Sequence, residues 1–284
     1  MVNCNGALLD KDSNFLNHTN RAFRYGDALF EDVRVVNGRP VFWEEHYFRL
    51  MSSMRILRME IPMQFTMEYL ESELLRTIEA NDLVQKPALL SFGVFRDPEM
   101  DITPNSNEVS YVMSVSELAS PFYIMDETPY EVELFRDYFV NPDMLSRLDT
   151  NNKTLEVVAS IFAQENGYAD CMVLNTEKRV VGTALGSLFL VKGGQVKTPP
   201  LSDGAKNNVL RKKLMEIIHS LESYEMEEAS ITPFELQKAD ELFVLNTSIG
   251  IRPITKYRKK VYTKEVAKDL LGKLNAKARL ASLK

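Results

Sequence analysis

The segment 146–159, SRLDTNNKTLEVVA, does most to constrain the fold, because turn and cap residues give way there to an apolar run. Leu155, Val158, Ala159, Phe162 and Ala163 recur at helical spacing, which predicts a helix over about 152–166. Asn151 and Asn152 are suited to cap it, and Gly167 to stop it. A helix start collects unpaired backbone N–H groups and a partial positive charge, so functional side chains often stand beside such ends.

Upstream, residues 28–36 have strand propensity and run into Asn37-Gly38, a strong hairpin signal, with 40–43 expected as the return strand. A helix is predicted over about 44–57, with Tyr47, Leu50, Met51, Met54 and Leu57 on one side. Thr66 caps a second, whose apolar stripe is Met67, Leu70, Leu74 and Ile78. Residues 88–95 and 109–115 read as strands, which completes an α+β unit.

A break over 118–128, punctuated by Pro121 and Pro129, reads as an interdomain connection. Downstream, strands are expected at 130–135, 171–174, 228–231 and 241–245, with a hairpin of 188–191 and 195–198 turning at Gly193-Gly194. Helices are expected near 208–221, 233–238 and 264–274. The domain reading is 1–120, a linker at 121–127, and 128–284.

Several function classes are disfavoured. A net charge of −6 gives no general basic character for a nucleic-acid partner, and the triplets at 211–213 and 258–260 read as solvated faces. Two cysteines make no disulfide framework, and Cys171 opens an apolar run as a core thiol. The start lacks a signal peptide and no stretch has membrane-spanning length, so a cytoplasmic protein without a membrane partner is expected. Three histidines show no metal-ligand spacing, so no metal site is expected. There is no nucleophile elbow, P-loop or dinucleotide fingerprint. Motifs alone give a two-part α/β protein without an identified reaction.

A family resemblance runs over nearly the whole chain. Phe23-Arg24-Tyr25-Gly26-Asp27 precedes Phe30-Glu31 and Arg34, and Glu45-His46 precedes Arg49-Leu50. Ala169-Asp170 leads the run CMVLN, and Phe189 to Lys192, Thr198-Pro199-Pro200-Leu201, Gly204 and Arg211 follow in order. Ala239-Asp240-Glu241-Leu242-Phe243 and the stretch from Thr247 to Ile254 complete the series. Together these resemble the fold-type IV (class IV) pyridoxal-phosphate enzymes, which include branched-chain and D-amino-acid aminotransferases and 4-amino-4-deoxychorismate lyase. Thr150, Asn152 and Val157-Val158-Ala159 resemble that family's catalytic-lysine segment. The resemblance implies a two-domain α/β architecture: a small α+β N-terminal domain, and a larger α/β C-terminal domain with the cofactor-type pocket. It also implies a homodimer and pyridoxal phosphate (PLP) as cofactor.

The implied site is preserved in one part and altered in another. By resemblance, Arg49 supplies a guanidinium to the phosphate, Thr247 a hydroxyl, and Val209 and Leu210 backbone N–H groups. Asn208 replaces a glycine, and tolerates that glycine's left-handed backbone less freely. Asp149, however, stands at the Schiff-base lysine and Gly182 at the glutamate beside the pyridine nitrogen, while Lys153 replaces a tyrosine and Ser187 an asparagine. A carboxylate forms no imine. The expectation is therefore a family member without catalytic residues, in which PLP is lost or held non-covalently, or another small phosphorylated ligand takes its place. Two alternatives stay open. One is an active aminotransferase or lyase using Lys153, one helical turn beyond Asp149 if both positions are helical. The other is a structural or regulatory dimer with an empty pocket.

Overall fold

A computed structural model of the chain describes residues 1–282. It divides into two compact units. The first comprises Met1–Phe122, Asp149–Asn152 and the chain from Ala278; the second comprises Tyr123–Leu148 and Lys153–Lys277.

The first unit contains, in chain order, β1 (Val2–Cys4), β2 (Ala7–Leu9), α1 (Arg21–Tyr25), β3 (Ala28–Val36), β4 (Arg39–Pro40), α2 (Trp43–Ile56), α3 (Met67–Glu79), β5 (Ala88–Arg96) and β6 (Val109–Glu117). Its six strands form an antiparallel sheet in the order β2-β1-β6-β5-β3-β4. Side chains on β3, β5 and β6, among them Val33, Leu90, Phe92 and Met113, are buried with Leu50 and Met54 of α2 and with Leu70 and Leu74 of α3. The Thr66 side chain accepts the Tyr69 N–H as the expected cap of α3.

The return strand is shorter than expected. Phe42 adopts a left-handed backbone with φ of 58°, which ends β4 at Pro40 and turns the chain directly into α2. Trp43 therefore opens a helix instead of closing a strand.

The second unit contains β7 (Glu131–Leu134), α4 (Thr154–Glu165), β8 (Asp170–Leu174), β9 (Val180–Thr183), β10 (Ser187–Lys192), β11 (Gln195–Thr198), α5 (Val209–His219), β12 (Glu225–Glu228), α6 (Pro233–Lys238), β13 (Glu241–Asn246), β14 (Gly250–Ile254), β15 (Lys256–Tyr257), β16 (Lys260–Val261) and α7 (Glu265–Ala281), whose last residues belong to the first unit. One sheet runs β12-β11-β10-β13-β14 and another β16-β15-β7-β8-β9. Their apolar faces share one core, which includes Val132, Met172, Leu188, Leu242 and Ile254. α4 buries Ala159 and Ala163 against Phe135 and Cys171, with Val158 and Phe162 packed on the same cluster. The Cys171 thiol donates to the Ala159 carbonyl at 3.0 Å, and burial pushes its pKa up to about 12, as suits a core thiol.

Three element boundaries differ from expectation. The strand placed at 228–231 lies at Glu225–Glu228, where it pairs in parallel with β11; Ile231 forms only an isolated bridge to Val180. α7 continues past Leu274 because Ala278 extends its buried stripe of Ala267, Leu270, Leu271 and Leu274. α4 starts at Thr154, with Lys153 at the cap position and no side-chain cap bond. Asn151, expected as a cap, instead donates its side-chain amide to the Ala22 carbonyl. Among the described residues no helix is long and apolar enough to cross a membrane.

Candidate cofactor site

In the first unit the site grows from one buried carboxylate. Glu31 sits in the middle of β3, where its side chain is 3% exposed. Burying a carboxylate without partners is costly, so it needs compensating donors. α2 supplies them from His46 and Arg49, which lie three residues apart and so share a helix face. Arg49 Nε is 2.5 Å from Glu31 Oε1, and His46 Nδ1 is 2.8 Å from Glu31 Oε2.

Asp149 joins this cluster. Its carbonyl accepts the Phe30 N–H at 2.8 Å, Thr150 bridges to Leu29, and the Asn151 N–H donates to the Ala28 carbonyl. The segment thus lies along β3 in extended form, with the Asp149 carboxylate 3.8 Å from an Arg49 terminal nitrogen. Burial works against the Arg49 charge. The Glu31 field and hydrogen bond, with Asp149 and Asp32, outweigh it and raise the Arg49 pKa above its ordinary value. Because Asp149 and Thr150 are extended and α4 starts only at Thr154, Asp149 and Lys153 are not successive turns of one helix.

In the second unit Val209 and Leu210 open α5. Their N–H groups make no hydrogen bond among the described residues, as is usual for a first turn. Asn208 caps the helix: its Oδ1 accepts the Arg211 N–H at 2.7 Å and its Nδ2 donates to Ser187 Oγ at 2.7 Å. Its backbone is extended (φ −103°, ψ 153°), so no left-handed conformation is called on; a capping asparagine needs extended backbone to reach its own helix. Thr247 lies in the turn between β13 and β14, half-buried, and its hydroxyl makes no hydrogen bond among the described residues.

Gly182 lies in β9. A Cβ there would stand 3.0 Å from the Gly186 carbonyl oxygen, so a glutamate would require local movement. At Gly186 a Cβ would meet the Leu245 carbonyl oxygen at 2.5 Å. The triplet at 211–213 is not a solvated face. Arg211 and Lys213 are buried, and Arg211 donates to the Pro199 carbonyl and to Glu228, tying α5 to its own sheet.

Glu31 and His46 stand among the residues that match the family pattern, but the sequence assigned them no role. The available signal was the acidic pair Glu31-Asp32 set among apolar residues in a strand, followed by a helix carrying His and Arg three apart.

The Amino-transferase class IV family model matches residues 28–257. The chain belongs to this family. Among class IV relatives, the aminodeoxychorismate lyase of Vibrio harveyi is 24% identical over 238 residues, covering 83% of this chain and 84% of the lyase. Among solved structures, the branched-chain aminotransferase of Thermoproteus uzoniensis with norvaline matches at a TM-score of 0.87 and 22% identity, covering 96% of this chain and 92% of that one. The branched-chain amino acid aminotransferase of Escherichia coli matches at a TM-score of 0.83 and 18% identity, covering 95% of this chain and 90% of that one. The fold is the fold-type IV architecture.

The class IV family is PLP-dependent, and two positions that the resemblance assigns to the cofactor carry other side chains in this chain. The position implied for the imine nitrogen carries a carboxylate paired with Arg49. The position implied for the ring acid is a glycine with a carbonyl oxygen 3.0 Å from where its Cβ would stand.

Proposed function

We propose that this class IV aminotransferase-family protein has given up Schiff-base catalysis and binds PLP, or another small phosphorylated molecule, without a covalent bond, as a homodimer. The observation that carries this reading is Asp149. A carboxylate is negative at neutral pH, accepts hydrogen bonds only, and has no nitrogen to form an imine. It is also engaged with Arg49 across 3.8 Å, as an anion and not as a nucleophile. Gly182 further leaves a bound ring without an acid partner.

Retention of a phosphate ligand is supported by the groups that the resemblance assigns to it. Arg49 is fully charged, and Val209, Leu210 and Thr247 offer neutral donors without partners among the described residues. Such N–H groups at a helix start favour an anion. Equilibrium dialysis against PLP tests the reading. Saturable one-site binding is expected, weakened several-fold by Thr247→Val and more strongly by Arg49→Ala. Absence of saturable binding to a folded wild-type protein would sink the ligand half of the proposal.

A further inference from the structure

We infer that Asn37-Gly38 is a self-modification site, where the folded chain converts the asparagine amide to aspartate and isoaspartate faster than at its other Asn-Gly pairs.

Three Asn-Gly pairs occur in the sequence, at 5–6, 37–38 and 166–167. Glycine carries no Cβ to shield its backbone nitrogen, so that nitrogen can approach the preceding Asn Cγ. The nitrogen forms a bond to Cγ, the Cγ–Nδ2 bond breaks, and ammonia leaves with the proton that the glycine nitrogen gives up. The product is a cyclic imide. Water then opens the ring at Cγ, giving aspartate, or at the backbone carbonyl carbon, giving isoaspartate.

All three asparagines are exposed, so access of water does not separate them. They differ in how the leaving amide and the attacking N–H are engaged. At Asn5-Gly6, Asn5 Oδ1 accepts the Tyr111 N–H at 2.7 Å and Asn5 Nδ2 donates to Ser110 Oγ at 3.0 Å. The Gly6 N–H donates to Asn3 Oδ1 at 2.9 Å. At Asn166-Gly167, Asn166 Nδ2 donates to the Phe162 carbonyl at 2.8 Å and the Gly167 N–H to the Gln164 carbonyl at 3.2 Å. At Asn37-Gly38, neither the side-chain amide nor the Gly38 N–H makes a hydrogen bond among the described residues.

Backbone shape does not account for this difference. Asn5-Gly6 has φ of 49° and 83°, and Asn37-Gly38 has 52° and 70°. Each pair closes a tight hairpin, with Cys4 opposite Ala7 in one and Val36 opposite Arg39 in the other. The first hairpin is therefore an internal control for the second, with its reacting groups tied down. Isoaspartate routes the backbone through Cβ and Cγ, which adds an atom to a turn whose strands are in fixed register. β4 has only two paired residues, so it yields before β3, which β5 holds along its length. Both products also add a negative charge at neutral pH.

The test is to age the folded protein at mildly alkaline pH, below its thermal transition, in parallel with protein in denaturant. Acidic digestion and peptide mapping quantify aspartate and isoaspartate at each pair, and circular dichroism at each time point establishes folding. The ratio of denatured to folded rate at each pair cancels the influence of neighbouring side chains on the intrinsic rate. Hydrogen bonds at the other pairs must break before the ring closes, so the ratio at Asn37-Gly38 is expected to be roughly tenfold smaller than at either. Equal ratios at all three pairs, or the smallest ratio at Asn5-Gly6 or Asn166-Gly167, overturn the inference. Conversion of position 37 in denaturant with none in the folded protein overturns it as well.

Discussion

The two units handle a buried carboxylate in opposite ways. In the first, Glu31 is matched by a guanidinium and a histidine, and a second carboxylate, Asp149, leans on the same cation. In the second, Asp170 at the start of β8 is held by neutral donors: the Tyr130 hydroxyl at 2.9 Å and the Cys171 N–H at 2.7 Å. Burial consequently raises the Asp170 pKa above its usual range, despite the opposing hydrogen bonds from Thr183, Tyr130 and Cys171. Glu31 is balanced by fixed charge and Asp170 by dipoles.

The strongest way to break this contrast is Arg49→Ala. It leaves Glu31 buried beside Asp149 with no guanidinium, and removing one partner of such a pair costs about 3–5 kcal/mol. Denaturant unfolding followed by signals from the first unit should show that loss; a change below about 1 kcal/mol would mean that the cluster is solvated. In the second unit the larger effects should be steric. Gly186→Ala places a Cβ 2.5 Å from the Leu245 carbonyl oxygen, and overpacking of this kind costs about 1–3 kcal/mol in the same assay. Asn208→Ala removes a cap that bonds both Arg211 and Ser187, with an expected loss of about 1 kcal/mol.

The smallest effect is one of pH. Because folding raises the Asp170 pKa, it favours the protonated carboxyl. Relative to Asp170→Asn, the wild type should gain stability as pH falls through the raised value toward 3.8, and lose it as pH rises again. Parallel melting curves at several pH values check this. A difference that grows in the opposite direction would place a cation beside Asp170.

Most of the framework was legible in the sequence because its signals are local. The strand β3 and its Asn-Gly turn, the Thr66 cap and the apolar stripe of α4 are each contained in one short stretch. What could not be read were arrangements made at a distance. Phe42 takes a left-handed backbone that no composition rule assigns to phenylalanine, and it shortens the return strand. Arg211 and Lys213 look like surface charges, yet packing of α5 buries both. Asp149 could be recognised as an anomaly at a lysine position. Its pairing with Arg49, far earlier in the chain, required the segment to be laid along β3. The resemblance singled out Asp149, and the structure sets its carboxylate beside Arg49.

The central proposal is that this class IV protein, with Asp149 at the implied lysine position, forms no imine. The most direct measurement is the visible spectrum of the wild type with PLP, before and after borohydride, followed by peptide mapping. The account predicts no protein-bound imine band and no stoichiometric reduced adduct on any one lysine. A reduced adduct mapping to Lys153 in stoichiometric yield would contradict it, and would establish a replacement nucleophile four residues from the one that was lost.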